Sequence, residues 1–195
     1  VNVTLAGRDF EGPDDAWRLA DASTLIGTAG PRTDMFCDPQ TGTATTNAPR
    51  LLSLPPAGDF QLSARVEVGF GSTYDAGVLL VWAGEDSWAK LCLELSPQGK
   101  PMIVSVVTVG RSDDANGFTV DATAVWLRIS GVRGAYAFHA STDGQWWHLV
   151  RHFTLGQTQA QVGFEVQSPL GDGCQATYTE IAYRASSIDD LRDGQ

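Results

Sequence analysis

The stretch Ser87–Leu95, SWAKLCLEL, gathers the residue types best able to do chemistry into one row. Side chains alternate sides along an extended strand. Ala89, Leu91, Leu93 and Leu95 therefore face one way, toward a core, and Trp88, Lys90, Cys92 and Glu94 face the other. An indole, an ammonium and a carboxylate on one sheet face suit a polar ligand: a ring to stack upon, donors, and an acceptor. Lys90 is one of two lysines in 195 residues; the other, Lys100, lies in a Pro/Gly-rich turn. Four strand residues span ~13 Å, so Lys90 and Glu94 each need a partner on another strand or in a ligand.

Neighbouring segments offer such partners. Met102–Val109 is apolar on both faces, as a central strand should be. Its Ser105 and Thr108 fall on opposite faces, so at most one joins the Lys90 row, and Thr108 is the candidate. The following Gly110–Gly117, GRSDDANG, reads as a loop with acids at a strand end, and Asp113 is the expected rim contact. A calcium ion would use Asp113 and Asp114, but the spacing of a calcium-binding EF-hand loop is not met. Solvated turn acids are the favoured reading, and no metal or other cofactor is expected. Arg128 and Arg151 are candidate carboxylate partners, because a guanidinium fork bonds both oxygens. His139, His148 and His152 belong to one hairpin; the last two share a face but stand ~13 Å apart, too far for one metal.

Catalytic signatures are missing. There is no nucleophile elbow, P-loop, HExxH or dinucleotide-binding fingerprint. Glycoside hydrolysis needs two carboxyl groups about 5–5.5 Å or about 6.5–9.5 Å apart. No strand carries alternating acids, so such a pair would have to join strands, as Glu94 with Asp34.

The elements that must position these groups are strands. Short β-rich stretches bounded by Gly, Pro, Asp and Ser recur near 2–6, 24–29, 32–37, 42–47, 50–54, 60–70, 76–83, 87–95, 102–109, 124–131, 135–142, 146–154, 160–167 and 174–184. Asp143-Gly144 closes a hairpin between Ala135–Ser141 and Trp146–Arg151, since Asp-Gly tolerates positive φ. Helices are nearly absent; Ser186–Leu191 predicts a short terminal helix over about 186–192. So many strands suit one all-β domain over 1–195, a two-sheet antiparallel jelly-roll sandwich.

Composition narrows the partners. Thirteen basic against 23 acidic residues give a net charge of −10. That field repels phosphate backbones and anionic lipid, so neither nucleic acid nor membrane is an expected partner. Cys37, Cys92 and Cys174 are widely spaced and odd in number, which fits reduced cytoplasmic thiols, with secretion left open. A monomer, or a homodimer through sheet edges, is expected.

Several segments, in order over roughly residues 10–185, resemble the bacterial and fungal family called domain of unknown function 1349. They are Thr33-Asp34-Met35-Phe36, Tyr74-Asp75-Ala76-Gly77, Ser87-Trp88-Ala89-Lys90 with Glu94, and Ser105-Val106-Val107-Thr108 followed by Ser112-Asp113. Ser141-Thr142-Asp143-Gly144 with Trp147 and Arg151, then Val162-Gly163 and Ser168-Pro169-Leu170-Gly171, complete the set. The chain departs from the family at Asp114, where an aromatic is usual, and at Met35-Phe36, where Trp is usual. The resemblance implies a concanavalin A-like lectin/glucanase sandwich whose concave face commonly holds sugars, and it implies no activity. On that reading the chain binds a carbohydrate or small polar ligand without catalysis. Trp88 stacks, and Asp34, Lys90, Glu94, Thr108, Asp113 and Arg151 make polar contacts. The alternatives are a polysaccharide hydrolase or lyase using Glu94 and Asp34, and a protein-interaction or regulatory domain.

Overall fold

The protein is described by a computed structural model covering residues 1–156 and 159–195. Among the described residues, seventeen strands follow the chain: β1 (Asn2–Leu5), β2 (Arg8–Glu11), β3 (Trp17–Leu19), β4 (Leu25–Ala29), β5 (Met35–Cys37), β6 (Ala44–Thr46), β7 (Arg50–Ser53), β8 (Phe60–Gly69), β9 (Ala76–Gly84), β10 (Ser87–Leu95), β11 (Pro101–Val109), β12 (Arg111–Thr119), β13 (Ala124–Val132), β14 (Ala135–Ser141), β15 (His148–Phe153), β16 (Gln161–Gln167) and β17 (Cys174–Arg184). They form an eight-stranded sheet, β1-β2-β7-β16-β9-β10-β11-β12, and a seven-stranded sheet, β15-β14-β13-β8-β17-β4-β3, with β5-β6 as a separate hairpin. All pairings within the sheets are antiparallel. This is the expected jelly-roll sandwich.

Period-two patterning decides which side chains fill it. Ala89, Leu91 and Leu93 of β10, Val162, Phe164 and Val166 of β16, and Leu127 and Ile129 of β13 all enter the core between the sheets. Aromatic rings lock one end, with Phe164 5.3 Å from Phe10 and 5.0 Å from Tyr178 between centroids. The Tyr178 hydroxyl crosses to the other sheet, donating to the Glu165 carbonyl at 2.6 Å and accepting from the Val78 amide at 3.0 Å. It thus inserts between β16 and β9 at register partners, and fixes the backbone that carries Glu165.

Two expectations fail. Arg111–Thr119 is a strand, not a loop: Gly110, at φ +70°, turns the chain and β12 pairs back onto β11. Its Asp, Asn and Gly residues have low β propensity, which hid it, but such residues are tolerated on an edge strand, where they blunt pairing with other chains. The terminal segment forms turns rather than the helix expected at 186–192. Tertiary contacts override the local signal there, as Gln61 bonds the Ser187 carbonyl at 3.1 Å and His139 Nε2 meets the Leu191 carbonyl at 2.9 Å. Among the described residues no helix is long and apolar enough to cross a membrane.

Candidate functional site

The face of the eight-stranded sheet turned away from the core carries the Lys90 row. Register sets its grid: Lys90 lies beside Leu80 on β9 and Val106 on β11, and Val106 lies beside Asp114 on β12. One row along, Glu165, Val78, Cys92, Val104 and Asn116 stand abreast, and beyond them Gln167, Ala76, Glu94 and Met102. Parity alone therefore places acids and amides from two further strands, β16 and β12, on the face that bears Lys90.

Residues 31–49 cover part of this face. Met35, fully buried, packs with Ala48, Leu80, Trp88 and Val106. The Cys37 amide donates to Ser112 Oγ at 2.9 Å, and Arg111 donates to the Asp38 carbonyl at 3.1 Å, so the β5-β6 hairpin is tied to β12. The uncovered part is a pocket of about 360 Å³, lined by Asp34, Phe36, Tyr74, Lys90, Glu94, Ser96, Pro97, Met102, Val106, Asp114, Asn116, Gln167 and Pro169.

Lys90 is the pocket's central charge, 2% exposed. Its Nζ donates to Gln167 Oε1 at 2.8 Å and to Asp34 Oδ1 at 3.4 Å. Burial works against the ammonium, but Asp34, Glu165, Cys92 and Glu94 outweigh it and hold Lys90 above its usual range. The acids respond oppositely. Burial pushes Glu94 up to about 8 against the pull of Lys90, with Asp114, Asp34 and Glu165 adding to the rise. Glu165, fully buried and without a partner for either carboxyl oxygen, is raised by burial to about 7. Asp114 is also raised, chiefly by burial. One ammonium thus faces more carboxyl groups than it can neutralise, and Glu94 keeps its proton at neutral pH.

Of the expected site residues, Asp34, Lys90 and Glu94 meet in the pocket. Trp88 shares their row, with Lys90 Nζ 5.8 Å from its ring centroid, but it has no exposed surface. It cannot be the stacking platform, because Met35 and Ala48 seal it from above. Thr108 is buried and bonded at 2.9 Å to Ser112 Oγ, away from the pocket. Asp113 and Arg151 pair with each other at 2.8 Å, linking the edge strands of the two sheets. Strand parity explains this: on β12 it is Asp114, not Asp113, that faces the pocket.

Sequence reasoning missed Tyr74, Phe36, Asp114, Asn116, Glu165 and Gln167. Glu165 and Gln167 alternate with Val162, Phe164 and Val166, so the parity rule used on β10 would have found them. Tyr74 is 37% exposed at the pocket wall and holds φ +71°. A non-glycine residue in this region is strained, and such strain concentrates at functional sites. Among the described residues no cluster of His, Cys, Asp and Glu has the arrangement of a metal site. The three cysteines are free and buried.

The comparisons agree with this picture at the level of fold. Residues 11–186 match the sequence profile of a family described as "Protein of unknown function (DUF1349)". The chain is 30% identical over 143 residues to "Regulation of enolase protein 1" of Saccharomyces cerevisiae, covering 72% of each chain. A crystal structure of a functionally unknown protein from Saccharomyces cerevisiae superposes with a TM-score of 0.81 at 23% identity, over 91% of this chain and 95% of the other. A GH43 protein from Bacillus licheniformis gives 0.72 at 13% identity, over 91% of this chain but only 36% of its own. An alginate lyase from Klebsiella pneumoniae gives 0.59 at 14% identity, over 90% and 86%.

Proposed function

We propose a function from this premise: the chain belongs to the family described as "Protein of unknown function (DUF1349)", a description that assigns no activity. The pocket binds a carbohydrate, and does so without catalysis. The observation that carries this reading is Lys90. An ammonium has three N–H donors; two are taken by Gln167 and Asp34, and the third is free for a ligand in the pocket that Lys90 lines. Glu94, protonated at neutral pH, both donates and accepts, and Asn116 and Asp114 add further hydroxyl partners. Tyr74 and Phe36 take the stacking role that Trp88 cannot fill, since sugar C–H faces pack on aromatic rings.

Catalysis is the weaker reading because Asp34, the acid expected to pair with Glu94, is not free. Asp34 is held by Lys90 and by the Met35 amide at 2.7 Å, and Glu165 is sealed. Glu94 alone favours the hydrolase or lyase alternative, as a carboxylic acid kept neutral near pH 7 is suited to donate a proton. A glycan array on the full chain, run beside a reducing-sugar assay, separates the readings. The expected result is glycan binding with no product released, retained in Glu94→Gln. Product release abolished by Glu94→Gln overturns it in favour of the enzyme. No glycan bound at all overturns it in favour of a protein-interaction role, which the yeast relative's name supports.

A further inference from the structure

The outer face of the seven-stranded sheet holds a second cleft, of about 380 Å³. Trp126 and Trp147 line it together with Arg128, Arg184, Gln61 and Glu180. Arg128 is 7% exposed and stacks on Trp147, its guanidinium carbon 4.2 Å from the ring centroid. One terminal nitrogen donates to the Gly194 carbonyl, and the other reaches Gln61 Oε1 only at 3.5 Å. Its Nε is buried without a partner. Among the described residues no carboxylate forms an ion pair with Arg128 or Arg184. The acid in the cleft, Glu180, accepts the Trp126 indole N–H at 2.9 Å.

This is an unusual place in a chain of net charge −10. Two guanidinium groups share one cleft, and on the buried one Nε has no partner and one terminal nitrogen has only a contact of 3.5 Å. Burial, with Arg184 beside it, pushes Arg128 down to about 10, the direction expected of a cation short of counter-charge. A guanidinium fork matches a carboxylate by two parallel bonds, and indole faces match the C–H face of a sugar ring.

The geometry points to a second ligand site in this cleft, one that takes an acidic saccharide: the carboxylate on Arg128 and Arg184, the ring against Trp126 and Trp147. It is independent of the Lys90 pocket, which lies on the other sheet and presents acids instead.

The test is calorimetric titration of the full chain with glucuronate, with glucose and acetate as counterparts. Glucuronate is expected to bind at least about tenfold more tightly than either, the effect of one charge-assisted bond or one stacked ring. Arg184 is exposed, so Arg184→Gln should fold normally, and it should weaken glucuronate by roughly tenfold. Tyr74→Gly, in the first pocket, should leave glucuronate affinity unchanged. Three results overturn the proposal: glucose or acetate equalling glucuronate, no glucuronate binding, or a loss that follows Tyr74→Gly rather than Arg184→Gln.

Discussion

Each sheet turns a polar face outward, and on each face a cation lies buried beside a covering segment. On the eight-stranded sheet it is Lys90, next to residues 31–49, and its surroundings are Asp34, Glu165 and Glu94. On the seven-stranded sheet it is Arg128, under the terminal segment, and its hydrogen-bond partners are the carbonyl oxygens of Gly194 and Gln61. The same problem, a charge removed from water, is solved once with full counter-charges and once with dipoles and an indole ring. The side chains explain the difference. An ammonium is a compact, strongly hydrated charge, whereas a guanidinium is delocalised, weakly hydrated and stacks on rings. The consequence is that the first face crowds acids together, and the second leaves positive charge unspent.

Paired substitutions test this contrast, and here the largest effect is expected. Lys90→Met strands Asp34 and Glu165 beside an apolar side chain, and should cost about 3–5 kcal/mol in urea unfolding, as breaking a buried ion pair does. Arg128→Met strands only neutral carbonyls and should cost about 1–3 kcal/mol. Adding Glu165→Gln to Lys90→Met should recover part of the loss, since no buried carboxylate then lacks a counter-charge at that position. Equal costs for the two methionine variants would break the comparison.

The pH dependence of stability sharpens it. Glu94 and Glu165 rise from an ordinary 4.5 to about 8 and about 7, mainly through burial. Between 4.5 and those values the folded protein binds more protons than the unfolded chain, so stability falls as pH rises through that window. On the other face, burial lowers His139 from 6.5 to about 4, against the Leu191 carbonyl, which favours its charged form. Between about 4 and 6.5 the unfolded chain binds the extra proton, so stability gained from neutral His139 is lost as pH falls through that range. Each site contributes at most about 1.4 kcal/mol per pH unit. In thermal unfolding across pH 4–9, Glu94→Gln with Glu165→Gln should remove the fall in stability between 4.5 and about 8, and His139→Gln should make the fall between 4.5 and 6.5 steeper. A pH profile left unchanged by either set would contradict the assignment.

The two faces were unequally legible in the sequence. Alternation in SWAKLCLEL put Lys90 and Glu94 on one face, and the strand pattern with its turn residues gave the sandwich. Parity says which face a residue joins but not what lies over that face. Trp88 therefore lies in the row that alternation predicts yet cannot stack a ligand, because Met35 and Ala48 arrive over it from a segment distant in sequence. Sequence does not separate Asp113 from Asp114, because β12 has the composition of a turn and only pairing with β11 fixes its phase. The second cleft left almost no local trace. It is assembled from β8, β13, β17, the β14–β15 turn and the terminal segment, which no spacing rule connects.

The smallest effect on stability, and the sharpest on function, is expected at Tyr74. Its φ of +71° lies in the left-handed region, which costs a side-chain-bearing residue roughly 1–2 kcal/mol. Trp147, the ring that faces the second cleft, carries no such strain. Tyr74→Gly relieves the strain but adds unfolded-state entropy worth roughly 0.5–1 kcal/mol and removes a ring that is already 37% exposed. The terms nearly cancel, so the unfolding free energy should stay within about 1 kcal/mol of the parent. Tyr74→Ala removes the same ring and keeps the strain, so it should be less stable than the glycine variant by more than about 0.4–1 kcal/mol. Ligand binding in the Lys90 pocket should fall about five- to tenfold in both, because the stacking surface is lost either way. Strain and recognition are thereby separated at one residue. A glycine variant that keeps full affinity would remove Tyr74 from the binding surface, and one less stable than alanine would show that its backbone geometry is supported by something other than the strain described.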